Sequence, residues 1–99
     1  MVIIKVEVRV ELKDLSLFEE RLSKIVELAR ASQGCLQYDW FQQPTDRQAY
    51  FVYAEFDGQA NFQLYKTSKV VRLIVQELIP LAISKPKFQH FEAEVFEDG

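Results

Sequence analysis

Apolar and polar residues alternate from Val2 to Leu12, with Ile3 the one exception. Val2, Ile4, Val6, Val8, Val10 and Leu12 share one side, and Lys5, Glu7, Arg9 and Glu11 share the other. A period of two with one apolar side predicts a strand that buries one face. The period then lengthens. Phe18, Leu22, Ile25, Val26 and Ala29 recur at helical spacing, which predicts an amphipathic helix over roughly residues 15–31. Ser16 and Glu19 have the spacing of a capping box, Asp14 is a second candidate cap, and Gly34 in "SQG" is the expected breaker. Two aromatic and β-branched runs, "CLQYDWFQQ" and "QAYFVYAEFD", flank the turn formers of "PTDR". They predict a hairpin with strands near residues 35–43 and 48–56. Asp57 is expected to cap a helix over "GQANFQLYK". Ser68 is expected to cap the next, "KVVRLIVQELI", with a buried stripe that includes Val71, Ile74, Val75 and Leu78. Pro80 lacks a backbone donor and should end or kink that helix. "PKFQHFEAEVF" reads as a last strand and "EDG" as a frayed end.

The resulting order, β-α-β-β-α-α-β, contains no repeat, linker or low-complexity tract. It predicts a single α+β domain over residues 1–99, a ferredoxin-like antiparallel sheet with its helices on one face. Helices on one face leave the other open. The third strand carries Tyr50, Val52, Ala54 and Phe56 on one side and Phe51, Tyr53 and Glu55 on the other, so either choice exposes a large ring. Exposed apolar patches mark interfaces. Lys5, Glu7, Arg9 and Glu11 share that open face, so whatever covers it must also tolerate charge. A second copy of the sheet in a two-fold homodimer would bury the rings and pair the charges.

Composition narrows the function classes. The net charge of −3 offers no long-range attraction to nucleic acid, and no basic block marks a membrane surface. No apolar run nears the ~20 residues of a membrane span, and "MVIIKVEVRVEL" has charges between its apolar residues where a signal peptide would not. The expected compartment is the cytoplasm. Cys35 is the one cysteine and His90 the one histidine. A single cysteine excludes an intrachain disulfide, and a metal site of the usual His/Cys type would need more ligands than these.

Aromatic strands on such a sheet invite comparison with RNA-recognition domains. "RQAYFVYAEF" lacks that motif's glycines, however, and the first strand offers no stacking ring. Cys35 reads as a small residue at a strand start, with no histidine nearby in sequence to make it a nucleophile. His90 is the one side chain that ordinarily titrates near neutral pH, so it is the candidate general base; as a structural residue it would need only one hydrogen-bond partner. Tyr38 and Trp40 fall on one strand face two residues apart, either as core packing or as a platform for a flat ligand.

"GCLQYDWFQQPTDRQAYFVYAEFDGQANFQLYKTSKVVRLIVQELIPL" resembles the antibiotic biosynthesis monooxygenase family. The landmarks are the alternation of the first strand, Phe18 after the first helix cap, "GCLQY", the aromatic strand ending in "EF", Ser68 and "ELIPL". The resemblance implies a dimeric α+β barrel with a pocket between sheet and helices. It also implies oxidation of phenols or quinols by O₂ with no metal or flavin cofactor, the substrate supplying the electrons. In the family pattern the aromatic strand ends in Glu then Trp, the next helix carries a His, and a second His follows. Here Glu55 matches, Phe56 replaces the Trp, Tyr65 stands at the first His and Val70 at the second. The resemblance therefore implies an aromatic ligand pocket formed by Tyr38, Trp40, Val52, Phe56 and Tyr65, with Tyr65 and His90 the groups left for proton handling. The alternative is a non-catalytic dimer that binds a small hydrophobic molecule. Expected partners are a second copy of the chain and a small aromatic compound.

Overall fold

The computed structural model describes residues 1–98. Strand β1 (Val2–Arg9) leads into helix α1 (Leu15–Arg30), then the hairpin β2 (Cys35–Gln43) and β3 (Asp46–Phe56), helices α2 (Gln59–Lys66) and α3 (Lys69–Leu73), and strand β4 (Lys87–Glu92). The strands lie in the order β2-β3-β1-β4, and all neighbouring pairs are antiparallel. This is the predicted ferredoxin-like α+β sheet. Among the described residues, no helix is long and apolar enough to cross a membrane.

The register settles which face is covered. Val2, Ile4, Tyr38, Tyr50, Ala54 and Phe56 are buried beneath the helices, together with Phe18, Leu22, Ile25, Val26 and Ala29 of α1. The opposite face carries Lys5 across from Tyr53, Glu7 across from Phe51, Ile3 across from Phe91, and Phe41 across from Phe51. Phe41 and Phe91 remain about half exposed there.

Several local expectations are corrected. The first strand stops at Arg9 rather than Leu12. Arg9 pairs with Ala49, and beyond it Val10 bonds to Gln48 through both backbone and side chain, so the ladder ends where the hairpin turns away. Leu12 is exposed in a short 3₁₀ turn, Leu12–Asp14. No capping box forms on α1. Asp14 holds the N-cap position without a side-chain bond, Ser16 lies inside the helix, and the Glu19 carboxylate instead accepts from the Tyr50 hydroxyl at 2.6 Å. Gly58, not Asp57, is the N-cap of α2, because Asp57 Oδ1 accepts from Asn61 Nδ2 at 2.9 Å. Ser68 caps α3 as expected, its hydroxyl accepting from the Val71 amide.

The stripe on α3 also differs. The helix widens into a π turn (Ile74–Leu78) and closes in a 3₁₀ turn (Ile79–Leu81) around Pro80. Leu78 is buried as expected and Val70 joins it, but widening rotates the register and Val75 points outward. The last strand ends at Glu92 rather than Phe96: Glu92 faces Val2, the first residue of β1, and one further backbone pair, Ala93 with Met1, exhausts the partner strand.

Candidate functional site

Strand periodicity and helix position bring Tyr38 and Tyr65 together. Tyr38 sits on the helix-facing side of β2 opposite Ala54, whose small side chain leaves room above it. Tyr65 lies in the last turn of α2. Their hydroxyls are 2.6 Å apart, and both rings are almost completely buried. Phe56 lies beneath Tyr65, ring centroids 4.8 Å apart. The phenols are held neutral. Burial pushes Tyr38 well above the ordinary tyrosine range, and its bond to Tyr65 pushes it further. Burial also raises Tyr65, while the same bond acts in the opposite direction on it.

An apolar cavity of about 470 Å³ opens beside Tyr65. Val6 of β1, Val71 of α3, Ile74, Ile79, Pro86 and Phe88 of β4 form its walls, with Lys66 and Lys85 also on its lining. A much smaller inner space of about 40 Å³ adjoins it through Val6, Ile74, Ile79 and Pro86, and reaches Tyr38, Tyr50 and Val52. The π turn contributes Ile74 to this lining, and the 3₁₀ turn around Pro80 contributes Ile79. The outer volume falls within the about 300–1,000 Å³ typical of small-molecule sites.

Of the ligand-binding residues expected from the sequence, Tyr65 lines the outer space, and Tyr38 and Val52 line the inner one. Trp40 and Phe56 line neither. Phe56 is fully buried core, and Trp40 is half-buried against Tyr50, a lining residue, at a centroid distance of 5.8 Å. His90 is opposite Ile4 on the helix-facing side of β4, exposed, with its ring 5.0 Å from that of Phe62. It lines neither space. Glu55 is on the open face, accepting a 2.6 Å bond from the Tyr53 hydroxyl. Cys35 is partly buried; burial raises its thiol, and Sγ contacts the Gln37 carbonyl. Sequence reasoning missed Lys66, Lys85 and Phe88, whose place at the cavity depends on how the segment after Pro80 is laid down.

The arrangement suits a flat apolar molecule: an aliphatic and aromatic wall, one buried pair of neutral phenols and no carboxylate on the lining. Comparison with solved structures gives the same architecture throughout. A candidate antibiotic biosynthesis monooxygenase from Deinococcus radiodurans superposes with a TM-score of 0.90 at 17% identity, covering 99% of this chain and 97% of that one. A conserved protein from Methanosarcina mazei gives 0.87 at 12% identity, with 94% and 92% covered. Another candidate antibiotic biosynthesis monooxygenase, from Nitrosomonas europaea, gives 0.86 at 14%, with 94% and 98% covered. At these identities the likeness is one of fold. Comparison with curated protein sequences finds no match. The sequence pattern described as "Antibiotic biosynthesis monooxygenase" matches residues 1–77, most of the chain, and the protein belongs to that family.

Proposed function

We propose that this chain is a homodimer that binds a small phenol- or quinol-type aromatic compound in the cavity beside Tyr65 and oxidises it with O₂ without a cofactor. The observation that carries this reading is the apolar space of about 470 Å³ next to a buried hydroxyl pair. In such a reaction the substrate supplies the electrons. A dihydroxynaphthalene and O₂ give a hydroxynaphthoquinone and water, one oxygen atom entering the ring and the other leaving as water. The protein's share is to hold the ring in an apolar cage and to favour the electron-rich form. Tyr65 would hydrogen-bond a ligand oxygen, and His90, at the rim of the same sheet side, is the other proton-handling group under test. Tyr38, Val52, Trp40 and Phe56 would shape or support the cage.

A second reading, a binding dimer without turnover, draws on one specific observation: no carboxylate or histidine lines the cavity. Lack of a matched base forfeits about 10²–10⁴ in rate. Both readings meet in one experiment. Planar aromatics should quench the emission of Trp40, the single tryptophan, which packs on a lining residue. Oxygen uptake with a dihydroxynaphthalene, corrected for autoxidation, then separates turnover from binding. Loss of uptake in Tyr65→Phe assigns proton handling to Tyr65, and loss in His90→Ala assigns it to His90. Quenching without uptake supports the binder, and an absence of both removes the cavity reading altogether.

A further inference from the structure

The Tyr38–Tyr65 pair holds one proton more than it can use. Each neutral hydroxyl carries one proton and can also accept. One proton lies between the two oxygens, and either hydroxyl can be its donor. The second proton has no acceptor among the described residues, because neither hydroxyl makes another hydrogen bond. Both tyrosines are almost completely buried, and a buried donor without an acceptor is costly. The two places for that proton are unequal. If Tyr65 donates to Tyr38, the spare O–H is on Tyr38, which lines the inner space of about 40 Å³. A water would fit there, but a buried water needs about two to four polar partners. The only other polar side chain on that lining, Tyr50, already donates to Glu19 and accepts from Gln42. If Tyr38 donates instead, the spare O–H is on Tyr65, which lines the outer cavity of about 470 Å³.

We infer that Tyr38 donates to Tyr65 and thereby sets Tyr65 as a hydrogen-bond donor to the outer cavity, whose preferred ligand is an aromatic ketone or quinone that accepts the bond on its carbonyl oxygen. This inference rests on the cavity function proposed above and names the polar group of its ligand. Tyr38 does not line the outer cavity, so it is a positioning residue. Its proton occupies the core side of the Tyr65 oxygen and leaves the Tyr65 proton for the ligand. Hydrogen bonds in a chain also polarise one another, which makes Tyr65 the stronger donor. A hydroxyl on the ligand suits the site less well. Its oxygen can accept from Tyr65, but its own proton then meets the side chains of Val6, Val71, Ile74, Ile79 and Phe88, which accept nothing. A carbonyl brings no proton to satisfy. In the proposed oxidation the quinone product should therefore bind more tightly than the quinol.

Three probes share one tricyclic ring system and differ at a single carbon: fluorene has a methylene there, fluorenone a carbonyl and fluorenol a hydroxyl. Quenching of Trp40 in the full-length protein reads their affinities. Fluorenone should bind about fivefold more tightly than fluorene, the worth of one net hydrogen bond, and more tightly than fluorenol. The infrared carbonyl stretch of bound fluorenone should lie below its frequency in a hydrocarbon solvent. Tyr65→Phe should return the stretch to the hydrocarbon value and make fluorenone and fluorene bind equally. Tyr38→Phe keeps the Tyr65 hydroxyl and should shrink the downshift without abolishing it, whereas a Tyr38 with a merely structural role would leave the stretch of the bound ketone at its wild-type value. An unshifted stretch in wild type, or fluorenol binding more tightly than fluorenone, would overturn the inference. So would a downshift that survives Tyr65→Phe in protein whose far-ultraviolet circular dichroism is unchanged. The wild-type measurements decide the matter even where a variant fails to fold. Equal binding of fluorenone and fluorene refutes only the carbonyl inference; binding of none of the three refutes the proposed cavity function beneath it.

Discussion

Tyr65 is only 5% exposed yet keeps a polar hydroxyl, and its bond to Tyr38 is what makes that burial tolerable. Tyr65→Phe would strand the Tyr38 hydroxyl in the core, which costs about 1–3 kcal/mol for a buried group left without a partner. Tyr38→Phe should do the same to Tyr65. The double variant should therefore lose less than the sum of the two singles, because no orphan remains; denaturant unfolding of the four proteins measures the difference. The same pair predicts a pH dependence. Both phenols have raised pKa values in the folded chain, so folding holds their protons more tightly than unfolding does. Their contribution is complete below the ordinary tyrosine range near about 10 and falls as pH climbs from there towards the folded values. Urea midpoints should drop between about pH 9 and about pH 11, and drop less in the double phenylalanine variant. Phe56, fully buried under Tyr65, sets the contrast. Phe56→Ala should cost about 3–5 kcal/mol, and a near-neutral result would place Phe56 on a cavity wall instead of in the core.

Elements with a single strong period were legible in the sequence. The alternation of β1 named its buried face, and the 3.6-residue stripe of α1 named all five of the core residues read from it. Caps were less legible because a capping side chain can find a better partner through space: Glu19 went to Tyr50, thirty-one residues away, and Asp57 to Asn61. The segment from Lys69 to Leu81 departs from its sequence pattern at Val75 for a related reason. A continuous α-helical period puts Val75 on the buried stripe, whereas Pro80 and the widened turn before it change the residues per turn. Gly34 was read as a stop, and the structure adds why only glycine serves there. Its φ is +76°, and a Cβ would run into the Asn61 side chain and the Asp57 carboxylate. Its carbonyl also accepts from the Asp57 amide at 2.9 Å, tying the α1–β2 connection to the β3–α2 connection. Gly34→Ala should therefore cost at least the about 1–3 kcal/mol of a non-glycine residue forced into a strained backbone region, read as a lowered urea midpoint.

At the scale of the whole molecule, the fold class followed from the element order, while the cavity did not. A void depends on where two elements fail to touch, and no residue pattern records that gap. The Tyr38–Tyr65 contact likewise spans twenty-seven residues and two different periods. What the sequence did mark was the open face of the sheet. Phe51 and Tyr53 lie at its middle, Phe41 and Phe91 at its flanks, with Lys5, Glu7 and Arg9 between them. The charges there are partly answered within the chain, Arg9 by Asp46 at 2.6 Å and Glu7 by Lys87 at 3.8 Å, whereas Phe41 and Phe91 stay about half exposed and Phe51 and Tyr53 are only partly buried. Stable interfaces bury about 800 Å² per partner, and a four-stranded face supplies a surface of that order. Light scattering coupled to size exclusion at micromolar concentration should thus give about twice the 11.6 kDa chain mass. Phe51→Lys tests the geometry. A lysine opposite Glu7 can pair with it inside one chain, so the fold is kept, but a second sheet laid on this face would meet a charge where it had a ring. The variant should run as a folded monomer, with its far-ultraviolet circular dichroism unchanged. A variant that stays dimeric would move the interface to another surface, and a wild-type protein that runs as a monomer would leave these four rings as a wet sheet face.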